Sequence, residues 1–216
     1  MTAVLCYGDS NTWGYTASTR ERMGRWERWP GVLQRELGDD VHVIEEGLSG
    51  RTTAFDRPFD LDPNRNGLTY LPVSLDTHAP LDAVVISLGT NDLFLPGVNA
   101  HHVASGAMAL VDVVRRSEAG PGGGIPLVLV VIPPPFADLG VWRLEAPDAE
   151  QESRRFADAF RAIAARERED IGDVELLDLG QLIASSSVDG IHFEIADHRA
   201  IGVAVADRLR TMLSLR

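Results

Sequence analysis

Two runs, Ala83-Val84-Val85-Ile86 and Leu127-Val128-Leu129-Val130-Val131, are apolar at every position rather than at every second one. A strand with one wet face alternates apolar and polar side chains, so an unbroken run must be covered on both sides, as in a parallel sheet between helices. Strand candidates therefore span Ala83 to Leu88 and Leu127 to Ile132, and three more runs bounded by turn residues join them: Ala3 to Tyr7, Val41 to Glu45 and Val174 to Leu177. Helical spacing fills the gaps. Trp29, Val32, Leu33 and Leu37 make one apolar face, Val103, Ala107, Leu110 and Val114 a second, Phe156, Phe160 and Ile163 a third, and Ile195, Ile201, Val205, Leu209 and Met212 the last. This alternation predicts a three-layer α/β/α fold over a five-stranded parallel sheet. A length of 216 residues suits a single domain, 1–216. Residues 51–80 show no clear period and read as a long excursion between the second and third strands. Gly120-Pro121-Gly122-Gly123-Gly124 reads as a turn.

In open α/β sheets ligands collect beyond the carboxyl ends of the strands, so the residues just after each run carry the chemistry. Those residues are Gly8-Asp9-Ser10-Asn11, then Gly47-Leu48-Ser49-Gly50-Arg51, then Gly89-Thr90-Asn91-Asp92, and near the C-terminus Asp189-Gly190-Ile191-His192. A serine hydroxyl needs a base to take its proton, and the base needs a third group to orient it. Ser10, His192 and Asp189 supply that set. A developing oxyanion needs aligned donors, and the N–H groups of Ser10 and Gly50 with the Asn91 carboxamide are the candidates. Trp13, Thr90, Phe94 and Ile191 flank these positions as candidate walls of an acyl pocket, and Phe136, Trp142 and Pro133-Pro134-Pro135 as a candidate lid. Each block alone has an ordinary reading: Ser10 as a helix cap, Asp189-Gly190 as a turn, Asn91 as a left-handed turn residue. Their joint occurrence at successive strand ends is what favours catalysis.

The four blocks headed by Ser10, Gly50, Asn91 and His192 resemble the signature of the SGNH (GDSL-type) hydrolase superfamily. Trp13-Gly14, Ile44 to Thr53, Tyr70-Leu71-Pro72 and Val188 to Phe193 resemble its bacterial arylesterase and acyltransferase branch. The chain departs from the commonest motif at Asn11, where the family carries Leu, and in the Arg-rich stretch Thr19 to Arg28. The resemblance implies a flavodoxin-like sheet and a Ser-His-Asp mechanism without metal or cofactor, acting on small carboxylic esters. It also implies possible acyl transfer to alcohols, and homo-oligomers whose neighbouring loops narrow the pocket. A carbohydrate O-deacetylase or a thioesterase would use the same residues.

Other classes fit less well. The 20 basic residues are all Arg against 32 acidic ones, a net charge of −12, which disfavours nucleic acid and acidic lipid as partners. Without Lys there is no Walker-type phosphate loop, Schiff base or Ser/Lys dyad. No Gly-x-Ser-x-Gly elbow, His-Glu-x-x-His metal motif or Gly-x-Gly-x-x-Gly after a strand occurs, and His101-His102 reads as solvent-facing. A signalling module using Asp9 and Asp92 at strand ends is the non-enzyme alternative. The single Cys6 forms no internal disulfide, no apolar stretch approaches the ~20 residues of a membrane span, and Met1 to Tyr7 lacks a basic start, so the expected location is cytoplasmic.

Overall fold

In the computed structural model, which describes residues 1–57 and 63–214, β1 (Thr2–Gly8), β2 (Val41–Gly47), β3 (Ala83–Ser87), β4 (Leu127–Ile132) and β5 (Glu175–Asp178) form one sheet. Every pairing is parallel and the order is β2-β1-β3-β4-β5, the flavodoxin-like arrangement. Alternate side chains enter two separate cores. Leu5, Tyr7, Val84, Ile86, Val128 and Val130 pack under α3 (Gly67–His78), α4 (Ala100–Arg116) and α6 (Phe156–Arg166). Val4, Cys6, Val85, Leu129 and Val131 pack under α2 (Trp29–Leu37) and α8 (Ile195–Ser214). The unbroken apolar runs thus serve both layers, and each fully buried branched side chain contributes roughly 1.5–3 kcal/mol. Short helices α1 (Ser10–Trp13), α5 (Ala149–Ser153) and α7 (Arg168–Ile171) complete the elements used below.

The reading of residues 51–80 as an excursion without period needs correction, because α3 occupies Gly67–His78. Asn66 caps it by accepting the Leu68 N–H at 3.0 Å. Pro72 stands inside the helix, a residue that argues for a break in any sequence-based assignment. Residues 58–62 of that stretch lie outside the described residues. Gly120–Gly124 is the expected tight turn, closed by a hydrogen bond from Gly120 N to Gly124 O. His101 and His102 are exposed, and the His102 ring accepts the Asn99 N–H at the start of α4.

One buried histidine links the two helices of the second layer. α2 begins without a side-chain cap, and the N–H of its first residue, Trp29, donates instead to Nδ1 of the fully buried His198 on α8, at 3.2 Å. That bond requires a neutral ring. Burial, and secondarily the charge of His192, pushes the His198 pKa down to about 4. The unfolded chain therefore binds a proton between about pH 6.5 and 4 that the folded chain refuses, so this stabilisation is complete above pH 6.5 and is lost as pH falls toward 4. The effect is of order ~3 kcal/mol. Asp9 and Asp92, raised to about 6 and about 7 by burial, act in the opposite sense and gain stability over the same descent. In His198→Asn the carboxamide oxygen replaces Nδ1 as acceptor without titrating. Denaturation curves should show wild type losing stability relative to this variant between pH 6.5 and 4, and parallel curves would refute the assignment.

Candidate active site

Three of the four pieces of the site begin where a strand ends. β1 runs into Asp9, whose Oδ1 accepts the Asn11 N–H at 2.9 Å and so caps α1, with Ser10 as its first residue. Gly8 allows the turn to be this tight, since a Cβ there would lie 2.0 Å from Thr12 Oγ1. After β2, Leu48 O accepts Arg51 N–H at 3.0 Å and closes a turn in which Gly50 adopts φ +81°. After β3, Asn91 opens a 3-10 turn, Asn91–Phe94. Ser10 and Asn91 therefore flank β1 and β3, between which the strand order reverses.

The fourth piece arrives from the loop before α8. Asp189 Oδ1 accepts the N–H groups of Ile191 and His192, both at 3.0 Å, which fixes the turn. Its Oδ2 lies 2.6 Å from His192 Nδ1, and His192 Nε2 lies 2.9 Å from Ser10 Oγ. This network sets the tautomer: Nδ1–H donates to the carboxylate and Nε2 accepts the serine proton. Burial pushes the Asp189 carboxyl up, but the bonds from the His192 ring and from the His192 and Ile191 amides outweigh it and hold the pKa below the ordinary value. Tyr15 lies against the imidazole with ring centroids 4.3 Å apart.

Ser10, Gly50 and Asn91 line one cavity. No hydrogen-bond acceptor is found among the described residues for the N–H of Ser10 or of Gly50. The Asn91 carboxamide donates one hydrogen to Arg51 O at 3.0 Å, while Asp9 Oδ2, at 3.5 Å, is too distant to hold the other firmly. Asp9 and Asp92, which a signalling module would have to present at the surface, are both buried. Asp92 accepts the Thr53 N–H at 3.0 and 3.1 Å and the Thr53 hydroxyl, and burial, only partly offset by these bonds, raises its pKa to about 7.

Ser10, Gly50, Asn91 and His192 open on a cavity of about 320 Å³ walled by Tyr15, Phe94, Trp142 and Ile191, with Ser49, Arg57 and Glu145 also lining it. Phe94 and Ile191 stand where the sequence placed them; Trp13 and Thr90 do not line this cavity. The Trp13 ring is covered by the Arg22 guanidinium at 5.0 Å, and Thr90 is buried with its side chain bonded to Asp9. Phe136 is buried too, supporting Phe94 at 5.9 Å rather than acting as a lid. Tyr15 was not legible in the sequence as a wall residue, because it sits in a loop without period and reaches the site through a bridge to Arg22. A larger groove of about 580 Å³ runs beside Trp26, Arg35 and Ile195, but it contains none of these groups, so chemistry rather than size locates the site.

Comparison with solved structures places the M. smegmatis aryl esterase at 41% identity and a TM-score of 0.88, covering 98% of this chain and 99% of that one. A carbohydrate acetylesterase family member from Sinorhizobium meliloti is 38% identical with a TM-score of 0.89, covering 99% and 100%. Comparison with curated proteins gave no match. A model of the GDSL-like lipase/acylhydrolase family matches residues 6–200, from within β1 into α8, and so takes in all four blocks at the strand ends. On that match, together with structural likeness across nearly its whole length, the chain belongs to the GDSL-like lipase/acylhydrolase family.

Proposed function

We propose that the chain is a serine-dependent carboxylic ester hydrolase acting on small short-chain acyl or aryl esters through an acyl-enzyme. The observation that carries this reading is the continuous hydrogen-bonded line from Asp189 through His192 to Ser10, ending in a cavity that Gly50 and Asn91 also line. Ser10 Oγ attacks the ester carbon while its proton passes to His192 Nε2, and the carbonyl π pair moves onto oxygen. Asp189, kept as a carboxylate by its hydrogen bonds, stabilises the imidazolium. The oxyanion is received by the N–H groups of Ser10 and Gly50 and by Asn91 Nδ2. As the carbonyl re-forms, the C–O bond to the alcohol breaks and His192 returns its proton to the leaving oxygen. Water then repeats the sequence on the acyl-serine and restores the Ser10 hydroxyl; an alcohol in its place would give acyl transfer.

The cavity lies near the lower end of small-molecule sites, and its aromatic wall suits a flat or short apolar group. A second reading, carbohydrate O-deacetylase, is favoured by the acetylesterase relative from S. meliloti. Aryl acetates, acetylated sugars and acyl thioesters, compared by kcat/KM, separate the readings: the highest value on aryl acetates supports the first, and on acetylated sugars the second. The homo-oligomer reading is supported by Val141 and Leu144, 77% and 88% exposed, on either side of the cavity residue Trp142. The membrane is outside this proposal: no helix among the described residues is long and apolar enough to cross one. A cytoplasmic location is supported by the buried, free Cys6.

Asn91 tests the oxyanion site. Asn91→Ala should lower kcat by ~10²- to 10³-fold per folded molecule with little change in KM, because the bond forms mainly in the transition state. Asn91→Asp, which aims a carboxylate at the oxyanion, should be at least as inactive. A folded Asn91→Asp protein with ordinary kcat would leave stabilisation to the two backbone donors alone.

A further inference from the structure

Arg51 is a charged side chain only 6% exposed. Among the described residues its nearest carboxylate oxygen, Glu46 Oε2, is 3.9 Å from Nη2, beyond hydrogen-bonding reach. Nε has no hydrogen-bond partner among the described residues. A buried cation with so loose a counter-ion is costly to keep, so its other contacts must account for it. Nη1 donates to Gly8 O at 3.0 Å and to Glu46 O, while the guanidinium lies over the Tyr7 ring, 4.0 Å from the centroid. Gly8 is the last residue of β1 and Glu46 the penultimate residue of β2, just before the Ser10 turn and the Gly50 turn. The main chain of Arg51 makes the remaining links: its N–H donates to Leu48 O and closes the Gly50 turn, and its carbonyl accepts Asn91 Nδ2. One residue therefore touches all three strand ends that supply oxyanion donors.

We propose that Arg51 is the positioning residue of the oxyanion site, its planar guanidinium locking the ends of β1 and β2 together so that the Gly50 N–H and the Asn91 carboxamide stand at fixed spacing from Ser10 Oγ. This assignment rests on the serine esterase reading. Both bonds leave one terminal nitrogen, Nη1, whose two hydrogens lie at fixed directions in the guanidinium plane, so the two carbonyls on neighbouring strands are held at a set angle that a freely rotating ammonium does not impose. The charge serves the site as well. Asp9 lies next to Ser10, and Arg51 is one of the groups that offset the Asp9 carboxylate, so the oxyanion forms against a weaker negative field.

The test compares wild type, Arg51→Met and Arg51→Lys. The methionine keeps much of the stem over Tyr7 without charge or donor; the lysine keeps charge without the planar amino group that holds both carbonyls. Active sites are first titrated with an organophosphonate, so that kcat is expressed per reactive Ser10, and inhibition by a trifluoromethyl ketone, which forms a tetrahedral oxyanion on serine, is measured in parallel. Arg51→Met should lose ~10²-fold in kcat with KM within a few fold, its inhibition constant rising by the same factor. Arg51→Lys should lose ~10-fold with an unchanged melting temperature, which keeps the test decisive if the methionine protein does not fold. Wild-type kcat per titrated site in Arg51→Lys, or in a folded Arg51→Met, would overturn the assignment, as would lost kcat with an unchanged inhibition constant. The two levels of the argument fail differently: a wild type that takes up no phosphonate at Ser10 removes the serine reading itself, whereas a labelled wild type beside a fully active Arg51→Met removes only Arg51.

Discussion

Ser10→Ala is expected to lower kcat/KM toward ester substrates by ~10⁴- to 10⁶-fold while leaving the melting temperature close to wild type. Loss of Oγ removes the atom that becomes bonded to the acyl group, and neither neighbour can replace it, since Asp9 is occupied in capping α1 and the Asn11 carboxamide is not a nucleophile. The fold has little reason to respond. Among the described residues Ser10 Oγ has one hydrogen-bond partner, His192 Nε2, and the cap of the helix comes from Asp9 rather than from Ser10. What activity remains should come from the donors of Gly50 and Asn91, which still polarise a bound carbonyl toward water. Turnover within a few fold of wild type would place the nucleophile elsewhere.

His192→Ala should cost about as much, because an unassisted serine is protonated and a poor nucleophile, so losing the base disables the same step. Asp189→Asn should cost ~10⁴-fold, since a carboxamide can present its oxygen to the backbone N–H groups yet favours the wrong imidazole tautomer. A metal hydrolase would instead lose activity in a chelator and regain it with zinc, an outcome that would contradict the serine mechanism.

Much of this architecture can be read from the chain because the strands report their surroundings directly. Val84 and Val128 face one helical layer while Val85 and Leu129 face the other, and only a doubly covered sheet requires apolar side chains at all four. The four chemical blocks are equally legible, since each is short, polar and placed directly after a strand or, for Asp189 to His192, in a loop shortly beyond one. The helix Gly67–His78 is not, because Pro72 interrupts its pattern and its burial rests on only a few positions, chiefly Leu71 and Leu75. The pocket wall is the least legible part. Trp13 and Tyr15 lie two residues apart, yet the left-handed Gly14 between them sends Trp13 toward Arg22 and Tyr15 onto His192. Trp142 enters from a 3-10 turn more than a hundred residues away, a placement set by tertiary packing rather than by local pattern. Arg51 carries no motif of its own, and its contacts become visible only when the ends of β1 and β2 are seen side by side.

Covalent labelling tests the central claim most directly. The wild-type protein, incubated with an aryl-leaving organophosphonate and examined by intact mass followed by peptide mapping, should gain one phosphonyl group per chain, located on Ser10, as activity falls to zero. Ser10→Ala should gain none, and His192→Ala should label far more slowly because its serine is not deprotonated. Equal labelling of wild type and Ser10→Ala, or full inactivation with the adduct on another residue, would contradict the account.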